Sequence, residues 1–296
     1  MTLLRRLAAS APPPVYPCIG PGMLDPVERL FASGCARRAL SPASAGVLLI
    51  AGVVPDRAAA AIDRLHDQVP PPRRTVGWSG ADEPSNSLHD AWSGVLSGDG
   101  AEPDRLPDEP PNEWRGKGDH GHGGEGMMGG TPYGRPMAMT GEDPRDGLQL
   151  DRYTMRVGPF APMLPPGLEL EVTLQGDLIA AARVLQPPFP QEDTASAPPA
   201  CAARMLRLLG LPHHADRLLR GGRVRAGVLC AVPKGLGAAM PGRDARARLR
   251  RWLDGEPGAA QAPEFGALIT GLEWHEAILM LNSWSPEALR RAAEAA

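Results

Sequence analysis

A chain of 296 residues has room for one large or two modest domains with buried cores, and its formal net charge of -3 gives no electrostatic reason to expect nucleic acid. Aromatic residues make up only 4%, while Gly (35) and Pro (34) are abundant, so much of the length reads as loop and the core rests on Ala, Val and Leu. The longest apolar run, Gly46 to Val54, is far shorter than the roughly 20 residues that span a bilayer, which excludes a transmembrane segment of that kind.

In chain order, the opening MTLLRRLAASAPPP has two arginines but no apolar stretch of signal-peptide length, and a cytoplasmic location is expected. Gly46 to Val54 (GVLLIAGVV), bounded by SPAS and Pro55-Asp56, has the pattern of a strand buried on both faces of a parallel sheet. Pro55 to Gln68 follows with apolar residues at Ala58, Ala61, Ile62 and Leu65, a helical face, with Pro55 expected at the first helical position. Arg74 to Trp78 (RTVGW) reads as the next strand. A strand, helix, strand unit predicts an α/β fold with a doubly wound, mostly parallel sheet, and Val47 to Val54 beside Arg74 to Trp78 as parallel neighbours. On such sheets ligands sit where strands end, which directs attention to the loop Ser79 to Asn86.

Residues 113 to 150, rich in Gly, Pro, His and Met without periodicity, read as a linker after a first domain spanning 1 to 112, with 113 to 135 mobile or extended. From 151 to 190, Leu168 to Leu174 and Leu178 to Val184 flank Gln175-Gly176-Asp177 and predict a β-hairpin, joined by Tyr153 to Val157. The region 191 to 296 reads as helical over Cys201 to Leu219, Arg243 to Leu253, Leu272 to Leu281 and Pro286 to Ala295. Ser285 caps the last of these, with Pro286 and Glu287 in its first turn. The four cysteines, Cys18, Cys35, Cys201 and Cys230, lie far apart with no CxxC pair, and free thiols are expected.

The segment Ser41 to Ala81 resembles the heart of the small, cluster-bearing subunit of respiratory complex I and the matching subunit of [NiFe] hydrogenases. A Ser-Pro precedes a buried strand ending in Ala-Gly, His66-Asp67-Gln68-Val69-Pro70 matches the family's Tyr-Asp-Gln-Met-Pro-like turn, and Trp78-Ser79-Gly80-Ala81 matches its Gly-Ser-Cys-Ala loop. The resemblance implies a [4Fe-4S] cluster on four cysteines in the family. Here the early loop Tyr16 to Met23 offers at most Cys18, the third ligand position falls on Gly80, and the Pro-Gly-Cys-Pro-Pro turn, read onto Pro107 to Pro111, puts Glu109 at the fourth. One thiol and one carboxylate do not replace four thiolates, so no cofactor is expected, a [4Fe-4S] cluster being the alternative. The resemblance also implies that the loops bearing Cys18, Gly80 and Glu109 converge, with Trp78 or Met23, or water, filling the emptied site. A second stretch, Val157 to Pro162 with Gly167 to Asp177, is similar to the opening of the quinone-side partner subunit. The histidines of that family are replaced by Phe160-Ala161 and Pro165-Pro166.

Other candidates are weaker in pattern. Asp119, His120, His122 and Glu125, with Met127 and Met128, offer donors for a transition metal, set against a solvated Gly-rich linker. His213-His214 reads as a surface pair, and His66 and His89 as polar surface or helix-end residues. No GxGxxG follows a strand, no G-x-S-x-G is present, and no Ser/His/Asp set assembles. The expected function is a degenerate, non-catalytic subunit of a complex I-like NADH:quinone oxidoreductase or hydrogenase-like assembly. Its partners would be the other subunits, which could hold it peripherally on the inner face of the membrane. The alternatives are an electron-transfer subunit with an atypical iron-sulfur site and a metal-handling or regulatory protein using the His/Met loop.

Overall fold

The computed structural model describes residues 10–107, 139–142, 147–161, 163–236, 244–258, 262 and 264–296. The first part is a four-stranded parallel sheet in the order β2-β1-β3-β4, built from β1 (Pro14–Ile19), β2 (Arg37–Arg38), β3 (Val47–Ala51) and β4 (Arg74–Trp78). Helices α1 (Leu24–Ser33), α2 (Ala59–Gln68) and α3 (Ser85–Ser97) connect and cover it. Both faces are buried, which is why β3 is apolar at consecutive positions: Val47, Leu49 and Ala51 pack with α1 and α3, while Leu48 packs with Ala58, Ala61 and Ile62 on the α2 side. The expected pairing of β3 with β4 as parallel neighbours joined by α2 is what the chain forms.

Strand β1 is not foreshadowed by its sequence, because Pro14 and Pro17 read as loop residues. The structure shows why proline is tolerated. The Val15 carbonyl accepts from the Ala39 N–H on the β2 side, so Pro17, two residues on, turns its missing N–H to that same side. By then β2 has ended, since it pairs only with Pro14 and Val15. Beyond β2 the edge of β1 is therefore open to other parts of the chain.

The second part is an antiparallel sheet in the order β5-β6-β7-β8, from β5 (Met139–Glu142), β6 (Gln149–Val157), β7 (Glu169–Gln175) and β8 (Leu178–Gln186). The hairpin around Gly176 forms as its turn chemistry predicts, with Gly176 at φ 61°. Two stretches read as linker, Met139–Glu142 and the start of β6, instead belong to this sheet. One face of the sheet, through Leu170, Val172 and Ile179, shares a core with α8 (Phe265–Ile269), α9 (Trp274–Asn282) and α10 (Pro286–Glu294). A third core joins α5 (Pro198–Leu208), α6 (Pro212–Leu219) and α7 (Ala245–Leu253), preceded by the short α4 (Asp193–Ser196). The single helical stretch expected from Cys201 to Leu219 is broken at Gly210, whose φ of 74° ends α5 before Pro212 starts α6. Ser285 caps α10 as expected, its side chain accepting from the Ala288 N–H.

Candidate functional site

In a parallel sheet the strands end together, and three loops meet beyond β1, β3 and β4. The Gly20 N–H donates to the Ala51 carbonyl at 2.8 Å, and the Gly52 N–H to the Trp78 carbonyl at 2.7 Å. Gly52 and Gly80 both hold positive φ, 81° and 92°, and both lie against one side chain, Met23. A Cβ on Gly52 would stand 2.7 Å from the Met23 Cγ, and a Cβ on Gly80 would stand 3.1 Å from its Sδ. Met23 is 6% exposed and belongs to the core on the α1 and α3 side of the sheet. The thioether thus fills the space that side chains at 52 and 80 would claim. Met23→Ala should leave an unfilled void here and cost about 2 kcal/mol of stability, read from urea unfolding, while Met23→Leu stays close to wild type.

The convergence expected for Cys18 does not occur. Residues 16 to 19 are strand, not loop, and Cys18 faces the opposite side of the sheet, fully buried with Tyr16, Leu48 and Phe160. Burial pushes its thiol up to about 12, the reverse of what a thiolate ligand needs. Glu109, His120, His122 and Glu125 lie outside the described residues. Among the described residues no three His, Cys, Asp or Glu side chains gather as a metal site, and the described cysteines are free. The N-terminus of α1, where such sheets often bind anions, is taken up by the chain itself: the Leu24 N–H donates to Gln191 Oε1 at 3.0 Å, and the Gly22 N–H to the Pro190 carbonyl at 3.0 Å.

His66, read as a surface or helix-end residue, does end α2 but is 1% exposed. Its Nδ1 lies 2.7 Å from Asp67 Oδ1 and its Nε2 3.0 Å from Glu102 Oε2. Glu102 also accepts from the Thr75 N–H and hydroxyl at 2.7 Å each, which ties the segment after α3 to β4. Burial works to raise the Asp67 carboxyl, but hydrogen bonds from the Arg105 N–H, His66 and the Leu106 N–H outweigh it and bring it down to about 2. Every ring nitrogen and carboxylate of this network has a structural partner. His89 is exposed on α3, and of the His213-His214 pair the first is exposed and the second half-buried at the start of α6.

At the open edge of β1 the structure holds a cavity of about 200 Å³. Phe160 and Ala161 with Met163 to Pro166 form one wall, held by the Tyr16 hydroxyl donating to the Phe160 carbonyl at 2.7 Å. Helices α1, α5, α9 and α10 form the others through Leu24, Leu208, Leu281 and Leu289, with Trp284 between the last two helices. Four charged side chains reach this apolar space: Glu28, Arg38, Arg204 and Arg207. Glu28 is paired with Arg38 at 2.6 Å and also with Arg207, whose other nitrogen reaches Asp216 at 2.7 Å. Burial lowers Arg38 to about 10. Sequence reading missed this group because its members come from α1, β2, α5 and α6, with no local spacing to mark them.

The fold and site define an α/β protein in which a parallel sheet is followed by an antiparallel sheet and C-terminal helices. No family model, no curated protein and no solved structure matches the chain. No helix among the described residues is long and apolar enough to cross a membrane.

Proposed function

We propose that the chain is a non-catalytic, scaffold-type subunit of a complex I-like or hydrogenase-like assembly, with the ligands for an iron-sulfur cluster lost. The observation that carries the reading is Met23. In the segment that resembles the cluster-bearing subunit, the position of the third cysteine is Gly80, and the Met23 thioether packs against it. Thiolate ligation needs several sulfurs directed at one volume, whereas here that volume holds a core side chain and Cys18 lies on the other face of the sheet. A contact between stretches read onto the two families adds support: Tyr16, at the start of the stretch read onto the early loop, is hydrogen-bonded to Phe160 in the stretch similar to the quinone-side subunit.

The test is iron and acid-labile sulfide analysis of the full chain, purified anaerobically with the proteins that accompany it from its native host. Background iron, unchanged by Cys18→Ala, is expected, together with co-purifying oxidoreductase subunits. Near-stoichiometric iron and sulfide, lost on Cys18→Ala, would establish an electron-transfer subunit in its place.

A further inference from the structure

We infer that the cavity at the open edge of β1 binds a small amphipathic monoanion, a carboxylate carried on a short aliphatic chain or a single ring. This goes beyond the subunit reading and does not depend on it. The argument begins with a count of charge. Arg38 and Arg207 share Glu28, and Arg207 also has Asp216. Arg204 has no carboxylate partner among the described residues. Its Nη2 donates only to the Cys201 thiol at 3.2 Å, and its Nη1 is buried without a partner. The residue is 8% exposed. Three guanidinium groups around the cavity are thus answered by two carboxylates, and one buried positive charge is left over.

A buried guanidinium without a counterion is costly, and an anion entering the cavity relieves that cost. Guanidinium geometry suits a carboxylate, which takes two parallel N–H donors. The remainder of the wall sets the body of the ligand. Leu24, Phe160, Leu164, Leu281, Trp284 and Leu289 offer no charge and little hydrogen bonding, so the rest of the molecule is apolar. Size limits it further: an apolar cavity of about 150 Å³ accommodates benzene, and this one measures about 200 Å³. A neutral apolar molecule would fit the wall equally well but leave Arg204 uncompensated.

The experiment is calorimetric titration of the full chain with octanoate and with 1-octanol, which share a chain and differ in charge. Octanoate is expected to bind at least about tenfold more tightly than octanol. Arg204→Gln should reduce octanoate affinity by a similar factor and leave octanol within about twofold, because it removes the charge and keeps the wall. Ala161→Leu, which extends a side chain on the cavity wall, should weaken both ligands. Failure of millimolar octanoate to bind, octanol binding as tightly as octanoate, or undiminished octanoate affinity in a folded Arg204→Gln protein would each overturn the inference. The octanoate-to-octanol ratio is read on the unaltered chain, so it decides the matter even if a variant does not fold.

Discussion

Gly158→Ala should destabilise the protein by about 4 kcal/mol and lower Tm on the order of 10 °C, the largest effect we expect from adding one methyl group. Gly158 holds φ 110°, a region that other residues rarely adopt. A Cβ there would also stand 2.0 Å from the Leu168 carbonyl oxygen, which is backbone and cannot rotate away. Relief requires the backbone at Gly158 to shift, and the residues that follow it carry the Phe160 carbonyl bound by Tyr16 and one wall of the cavity. Thermal unfolding followed by circular dichroism measures the effect. Gly176→Ala supplies the contrast: it too has positive φ, 61°, but meets nothing within 4 Å, so its cost should be about 1 kcal/mol. Equal losses in the two variants would show that conformation alone, and not the close approach to Leu168, governs the site.

Glu28→Gln should cost about 3 kcal/mol, measured by urea unfolding. The substitution preserves shape and removes the charge that two guanidinium groups share. The side chains involved are largely buried, 6% exposed for Glu28, 18% for Arg38 and 15% for Arg207, so water does little to compensate. Arg207 keeps its direct contact with Asp216, while Arg38 keeps only the more distant charge of that carboxylate and its position over the Phe31 ring, 4.4 Å from the centroid. Arg38 should therefore account for most of the loss. The double variant Glu28→Gln/Arg38→Met should recover part of it, since it removes the stranded charge along with its partner. A loss below about 1 kcal/mol in the single variant would mean that the pairs are as weak as those on an exposed surface.

The elements legible in the sequence are those whose period and punctuation agree. Val47 to Ala51 is apolar throughout because both faces are covered, the hairpin at Gly176 alternates around its turn, and Ser285-Pro286 marks the start of α10. Elements that depend on distant parts of the chain were not legible. Pro17 enters a strand only because β2 stops after two residues, and nothing near Pro17 announces that. His66 becomes a core residue through Glu102, 36 positions away. Cys18 is a loop residue by resemblance, but β1 runs through Ile19 and the side chain lies in the core on the α2 side of the sheet. Of the fillers expected at the strand-end site, Trp78, Met23 or water, it is Met23 that packs on Gly80. The charged group at the cavity escaped notice entirely, since Glu28 and Arg207 come together only through tertiary packing.

The edges of the parallel sheet bear on how this molecule can join others. On one side β4 is occupied: the Thr75 N–H is bound by Glu102, and the Glu102 N–H by the Arg73 carbonyl. On the other side the outermost strand is two arginines long, and the strand behind it presents a proline with no hydrogen to give. With Thr75 taken, Pro17 unable to donate and β2 only two residues long, these edges offer at most short stretches for strand addition, whether to a partner's peptide or to a misfolded copy. Recognition of this part of the chain by another protein thus falls more to side chains than to strand pairing, and Pro17 and Glu102 work alongside the surface charge against edge-to-edge association.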